Sequence, residues 1–241
     1  MNASPPIQRE PANYTSLGYL RVAAATPSLV IGDAIANAKS ILEQANDLAA
    51  EGVAIAVFPE LCLTGYSAED LFFSEALMAD TQNALQHLCA CDMPLLIVGA
   101  PWRLCDGRLI NCAVAIGNHR VLGMIPKTFL PNYSEYYEQR WFASGASVNE
   151  TEVHDALGTF HIRVDQLFRL GDALVGAEIC EDLWAPVNPG THAALAGSNI
   201  VCNLSASNEL VSKADYREDL VRMTSAKSFC AYVYAGAGVM E

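Results

Sequence analysis

The sequence lacks a long apolar run. No stretch among its 241 residues approaches the length that spans a bilayer, and the first 18, polar around Gln8, Arg9, Glu10 and Asn13, hold no signal-peptide core. A soluble, cytoplasmic protein is the expectation. Basic residues are scarce: 14 Lys and Arg stand against 27 Asp and Glu, and the net charge of −13 repels phosphate backbones and anionic lipid. Nucleic-acid and membrane partners are disfavoured. Metal-ligand spacing is missing as well, since Cys89 and Cys91 are separated by a single residue and no His pair accompanies them. No metal is expected. Repeats, low-complexity tracts and linkers are also absent, so one domain is the first expectation at this length.

What is present is apolar. Hydrophobic residues make up 52% and charged residues 17%, the balance of a chain that buries most of a sheet on both faces. Of eight cysteines, Cys62, Cys112, Cys180, Cys202 and Cys230 sit inside apolar runs, as buried free thiols do in reducing compartments.

Strand-like and helical patterns alternate along the chain. Residues 20–25 form a β-type run, and over 31–50 the side chains of Ile35, Ala38, Ile41, Leu42, Ala45 and Leu48 recur at helical spacing. A strand over 53–58, a helix over about 73–91 and a strand over 95–100 complete a βαβαβ pattern. The middle then changes character. Asp106-Gly107 and Gly117-Asn118 punctuate short runs, including 111–116 and 120–125, so two hairpins are predicted between two βα halves. After a loop over 126–151, strands are expected over 160–164, 173–179, 200–204 and 231–235, with helices beginning near His192 and Ala214. These patterns alone give a mixed α/β sheet covered by helices. The chain stops at Glu241 directly after a strand-like run, and a fragment of something longer is expected.

Ligands in open α/β sheets bind beyond the carboxyl ends of strands. Three polar residues stand just past such ends: Glu60, Lys127 and Cys180. Amide hydrolysis needs a nucleophile, a group that takes and returns its proton, and a donor for the oxyanion. A thiol, a carboxylate and an ammonium suffice. Taken singly, each has a structural alternative: Glu60 as a solvated strand end, Lys127 as a surface charge after a proline, Cys180 as one of eight buried thiols.

The local words narrow the choice. Phe58-Pro59-Glu60-Leu61-Cys62-Leu63-Thr64-Gly65-Tyr66 resembles the glutamate motif of the nitrilase superfamily of carbon-nitrogen hydrolases. Pro126-Lys127-Thr128-Phe129-Leu130-Pro131-Asn132-Tyr133, continued by Glu138-Gln139-Arg140-Trp141-Phe142, resembles its lysine motif. Ile179-Cys180-Glu181-Asp182-Leu183-Trp184 resembles its cysteine motif, and the three occur in the family's order. The resemblance covers residues from about 20 to the end. It implies a four-layer α-β-β-α sandwich, truncated at its C-terminus, over residues 19–241 behind a polar extension over 1–18. It also implies a Cys180–Glu60–Lys127 mechanism.

Leu130-Pro131-Asn132-Tyr133, Glu181-Asp182-Leu183-Trp184 and Asn203-Leu204-Ser205-Ala206-Ser207 are similar to one branch, the glutaminase domains of glutamine-dependent NAD synthetases. That likeness implies glutamine as the substrate, with Tyr66, Tyr133, Tyr136, Glu181, Ser207 and Lys213 where the branch contacts it. Acceptors such as Glu181 suit its α-ammonium, and donors such as Lys213 its α-carboxylate. Close relatives commonly carry arginine at position 213, and lysine lacks that two-pronged grip. Glu138 either orients Lys127 or pairs with Arg140. The Ser-Gly-Gly-x-Asp-Ser phosphate loop of a synthetase does not occur in the sequence. The branch therefore implies no cofactor for this chain, ATP and deamido-NAD only at a missing C-terminal synthetase domain, and a homo-oligomer. A stand-alone amidase or N-carbamoyl hydrolase acting on another small carboxamide is the alternative, and a non-catalytic scaffold a third reading.

Overall fold

The computed structural model describes residues 18–149 and 151–238; apart from Gly18, the extension expected over 1–18 lies outside the described residues. The chain opens with strand β1 (Val22–Ala24), helix α1 (Ala34–Ala50), strand β2 (Ile55–Val57), helix α2 (Glu75–Leu88) and strand β3 (Leu95–Arg103). Both helices follow the apolar periodicity, and caps trim their ends. Asp33 accepts from Ala36 N at 2.9 Å to start α1, and Ser74 accepts from Leu77 N to start α2. Ala34, Ala38, Ile41 and Ala45 form the buried stripe of α1; Leu77, Met78, Ala84, Leu85 and Leu88 form that of α2. Each fully buried aliphatic side chain contributes about 1.5–3 kcal/mol relative to exposure.

The expected hairpins follow as β4 (Leu109–Gly117), antiparallel to β3, and β5 (Arg120–Pro126), antiparallel to β4. The second turn lies one residue later than the Gly117-Asn118 pair suggests. Gly117 pairs with Arg120, and Asn118 (φ 51°) and His119 (φ 57°) take the two left-handed positions. Glycine serves instead for closeness, because a Cβ at position 117 would lie 2.7 Å from the Pro94 carbonyl oxygen. Strands β6 (Thr151–Asp155) and β7 (Gly158–Ile162) complete a seven-stranded sheet in the order β1-β2-β3-β4-β5-β7-β6.

The remaining strands do not join that sheet, which corrects the single mixed sheet read from patterning. Strands β8 (Phe168–Leu170), β9 (Ala173–Ile179), β10 (Ile200–Ser205) and β11 (Ala231–Gly236) form a second sheet in the order β11-β10-β9-β8. Helices α3 (Pro189–Leu195) and α4 (Lys213–Ser228) connect its parallel strands. Alternation decides the layering. Ile55, Val57, Leu95 and Ile97 from the first sheet pack against Val175, Ala177, Ile200 and Leu204 from the second. Ala56, Leu96 and Val98 point the other way, into the core shared with α1 and α2. The result is the α-β-β-α sandwich that the resemblance implied.

All eight cysteines are free; Cys105 is exposed, Cys89 half-buried, and Cys62, Cys91, Cys112, Cys180, Cys202 and Cys230 buried. Among the described residues, no helix is long and apolar enough to cross a membrane.

Candidate active site

Strands β2, β3 and β5 run in the same direction, since two antiparallel steps separate β3 from β5. Their carboxyl ends therefore share one edge, and β9 of the facing sheet ends there too. Glu60 lies three residues past β2, Lys127 directly past β5 and Cys180 directly past β9.

The backbone is shaped for each of them. Leu61, beside Glu60, has φ 50°, and a Cβ on Gly99 of β3 would lie 2.2 Å from Leu61 N, so only glycine lets this corner cross the strand. Behind Lys127, Gly145 N donates to the Lys127 carbonyl at 2.7 Å. Cys180 itself sits at φ 46°, the left-handed region that a non-glycine residue occupies when its surroundings hold it there.

Lys127 is 0% exposed, and its Nζ donates to Glu60 Oε1 and to Glu138 Oε1, each at 2.6 Å. Of the two roles open to Glu138, the structure shows the contact to Lys127; Arg140 pairs with Asp70 instead. Asn111 Nδ2 donates to Glu60 Oε1 at 2.7 Å and Ala206 N to Oε2 at 3.0 Å, so Glu60 is fixed at both oxygens. Tyr66 donates its hydroxyl hydrogen to Glu138 Oε1 at 2.7 Å. Burial pushes the Glu138 carboxyl up to about 7 against the pull of Lys127. Burial also pushes the Cys180 thiol up to about 12; Glu60 reinforces this, while Lys127 and a hydrogen bond with Ser205 oppose it. At neutral pH the thiol is therefore protonated, and its use as a nucleophile requires a base.

A small cavity of about 60 Å³ opens onto Cys180. Tyr133, Tyr136, Glu181, Ser207 and Lys213 line it with Pro131 and Trp184, so five of the six residues expected at the substrate gather around the thiol. The sixth, Tyr66, is outside this lining; its ring meets the edge of Tyr136 at 6.3 Å. Tyr133 donates to both oxygens of Glu181, at 3.0 and 2.9 Å, and the Tyr136 hydroxyl accepts from Asn208 N at 2.9 Å. The Lys213 ammonium donates to Asn208 Oδ1 and stands 5.5 Å from the Trp184 ring centre.

Sequence reasoning missed several supports. Asp182 accepts from Thr128 N (3.0 Å) and Phe129 N (2.7 Å) through Oδ1, and from Ile179 N (2.9 Å) through Oδ2, joining the lysine segment to the cysteine corner. Asn203 accepts from Cys180 N at 3.2 Å, and Tyr234 donates to Ser205 at 2.6 Å. Asn111 and Asn203 each interrupt an apolar strand, and an amide in such a place demands partners. That interruption is the signal that could have found them. Among the described residues, no cluster of His, Cys, Asp or Glu could hold a metal ion.

The chain matches the carbon-nitrogen hydrolase family over residues 21–240. It is 42% identical over 234 residues to the glutamine-dependent NAD(+) synthetase of Mycobacterium tuberculosis, across 93% of this chain and 34% of that protein. The solved glutamine-dependent NAD(+) synthetase of Cytophaga hutchinsonii superposes with a TM-score of 0.81 at 31% identity, covering 90% of this chain and 36% of that one. The amidase of Nesterenkonia AN1, from the nitrilase superfamily, shares the fold with a TM-score of 0.72 at 16% identity, over 90% of this chain and 76% of its own. The chain spans about a third of the length of the curated relatives it matches, at 34% for each of the first four.

Proposed function

We propose, for a chain that belongs to the carbon-nitrogen hydrolase family, that it hydrolyses the side-chain amide of glutamine to glutamate and ammonia, and that the ammonia serves an ATP-dependent NAD synthetase activity outside these residues. ATP and deamido-NAD belong to that activity. The carrying observation is the buried Lys127 ammonium, held 2.6 Å from Glu60 and 2.6 Å from Glu138, beside a protonated thiol. Two acids and a base out of water are poor stabilisers, because desolvation offsets their attraction; their presence points to chemistry.

Glu60 takes the Sγ proton as sulfur bonds to the carboxamide carbon. The carbonyl oxygen becomes an oxyanion facing the Lys127 ammonium. When the C–N bond breaks, Glu60 returns the proton to the departing nitrogen as ammonia, leaving a thioester. Water then attacks that carbon, giving a proton to Glu60; the C–S bond breaks, glutamate leaves and the thiol is restored. Glu138 balances Lys127 throughout. In the cavity, Glu181 receives the α-ammonium, with its carboxylate oriented by Tyr133, while Lys213 and Ser207 receive the α-carboxylate. Tyr136 supplies the wall, with the Tyr66 ring packed behind it.

A glutamine-like diazoketone, which alkylates a thiol only when seated as the substrate would be, tests this reading. Mass spectrometry should find one label, on Cys180, with free glutamine slowing its arrival and glutamate forming in unlabelled protein. Labelling elsewhere, or none together with no glutamate, would overturn it.

A further inference from the structure

Two residues before Cys180 stands a buried carboxylate that the chemistry above does not use. Glu178 is 0% exposed in β9, and three donors converge on it: the Tyr232 hydroxyl and Asn188 Nδ2 (3.2 Å) on Oε1, and Gly190 N (2.6 Å) on Oε2. Burial pushes its carboxyl up, and hydrogen bonds from Tyr232, Gly190 N and the Asn203 side chain, with the charge of Lys227, draw it back.

The donors have a direction. The single hydroxyl hydrogen of Tyr232 is given to Glu178, so its oxygen can only accept, and it accepts from Asn203 Nδ2 at 3.0 Å. The Asn203 amide is thereby turned so that Oδ1 faces Cys180 N, the contact at 3.2 Å. Asn203 and Glu178 are register partners across β9 and β10, and Tyr232 reaches both from β11. The chain of polarity ends on the backbone of the one residue at φ 46°.

We propose that Glu178 is a positioning residue, which through Tyr232 and Asn203 holds the Cys180 backbone in its left-handed conformation and so aims the thiol. The inference rests on the reading of Cys180 as the nucleophile. Glu178→Gln keeps the shape and reverses the direction. The short bond from Gly190 N keeps the introduced carbonyl on its side, so the new amide NH₂ faces Tyr232, which must accept, and Asn188 Nδ2, which loses its acceptor. The tyrosine hydrogen then turns to Asn203, which flips and presents NH₂ to Cys180 N–H, donor against donor. Tyr232→Phe removes the middle of the chain. Asn188→Ala takes one donor from Glu178 and the cap from α3, but leaves the polarity intact.

Amide hydrogen exchange at Cys180, followed by NMR in ¹⁵N-cysteine-labelled protein, reads the positioning without needing activity. Exchange should quicken about tenfold or more in Glu178→Gln and Tyr232→Phe, the loss of about one hydrogen bond. Their kcat for glutamine should fall about ten- to a hundredfold with KM within about twofold. Asn188→Ala should lower Tm yet keep exchange and kcat. Adding Asn203→Asp to Glu178→Gln gives the reversed tyrosine an acceptor and Cys180 N–H another, so protection should return. Unchanged exchange in the first two variants, or equal loss in Asn188→Ala, would overturn the proposal. If glutamine is not hydrolysed but exchange follows this pattern, the activity reading fails and the positioning stands.

Discussion

Helix α1 lays Ala38, Ile41 and Ala45 flat against the seven-stranded sheet, whereas α4, at 16 residues against 17, buries only Thr224. The sheet surfaces beneath them differ in the same way. Beneath α1 and α2 lie Ala56, Leu96 and Val98; the face of the second sheet away from the core carries Glu178, Asn203, Ser205 and Tyr232. One half is held by apolar area, which is indifferent to direction, and the other by hydrogen bonds whose direction matters. The thiol stands on the second half, where orientation can be specified.

The comparison breaks first at the nucleophile. Cys180→Ala removes one sulfur atom and should lower ammonia release from glutamine by at least about ten-thousandfold, with Tm almost unmoved. Residual turnover above one per cent would deny the thiol its role. Lys127→Met tests the catalytic edge of the seven-stranded sheet, where β5 ends, for both stability and chemistry. It leaves two carboxylates unpaired in a dry site, costing about 3–5 kcal/mol in urea unfolding. Loss of the oxyanion donor should slow kcat by about a hundred- to a thousandfold. A variant as stable as the wild type would mean that water already reaches Glu60 and Glu138.

The apolar core beneath α1 and α2, away from that edge, should respond in stability alone. Ile41→Ala empties a fully buried position and should cost about 2–5 kcal/mol with kcat unchanged. Met223→Ala, on the exposed side of α4, should stay within about 0.5 kcal/mol. Equal losses at the two positions would mean that α4 is covered in solution. The smallest effect concerns pH. The folded value of Glu138, about 7, lies above its ordinary 4.5, so folding favours the protonated carboxyl. That contribution is complete below about 4.5 and is lost as pH rises through about 7. Glu138→Gln removes the titration, so the Tm of the wild type measured against the variant should fall across that window. A constant difference would mean that Glu138 keeps an ordinary carboxyl.

The same contrast explains what the sequence disclosed. α1 and α2 were legible because burial on one side writes a 3.6-residue period. Strand β9 was legible at both bounds, since Ala173–Ile179 is apolar but for Glu178 and begins directly after Asp172. β6 and β8 were not: each is short, and β6, with Glu152, His154 and Asp155 exposed at a sheet edge, carries little apolar signal. The division into two sheets was hidden for a related reason, as strands buried on both faces do not say which neighbour they face. Glu60, Lys127 and Cys180 were visible as polar residues after apolar runs. Asp182, Asn111 and Asn203 escaped because their partners are remote, Thr128 standing 54 residues from Asp182 and Glu60 51 residues from Asn111.

The distribution of thiols turns the molecule into its own reporter. Cys62, Cys91 and Cys112 lie buried in the apolar half, Cys202 and Cys230 in the polar half, and Cys105 alone is exposed, on the turn between β3 and β4. A brief pulse of alkylating reagent on the native protein should mark Cys105 first, a handle for a fluorophore about which the catalytic corner is indifferent. Under mild denaturant, the order in which the remaining sulfurs become reactive would record which half opens first, residue by residue, with no substitution made at all.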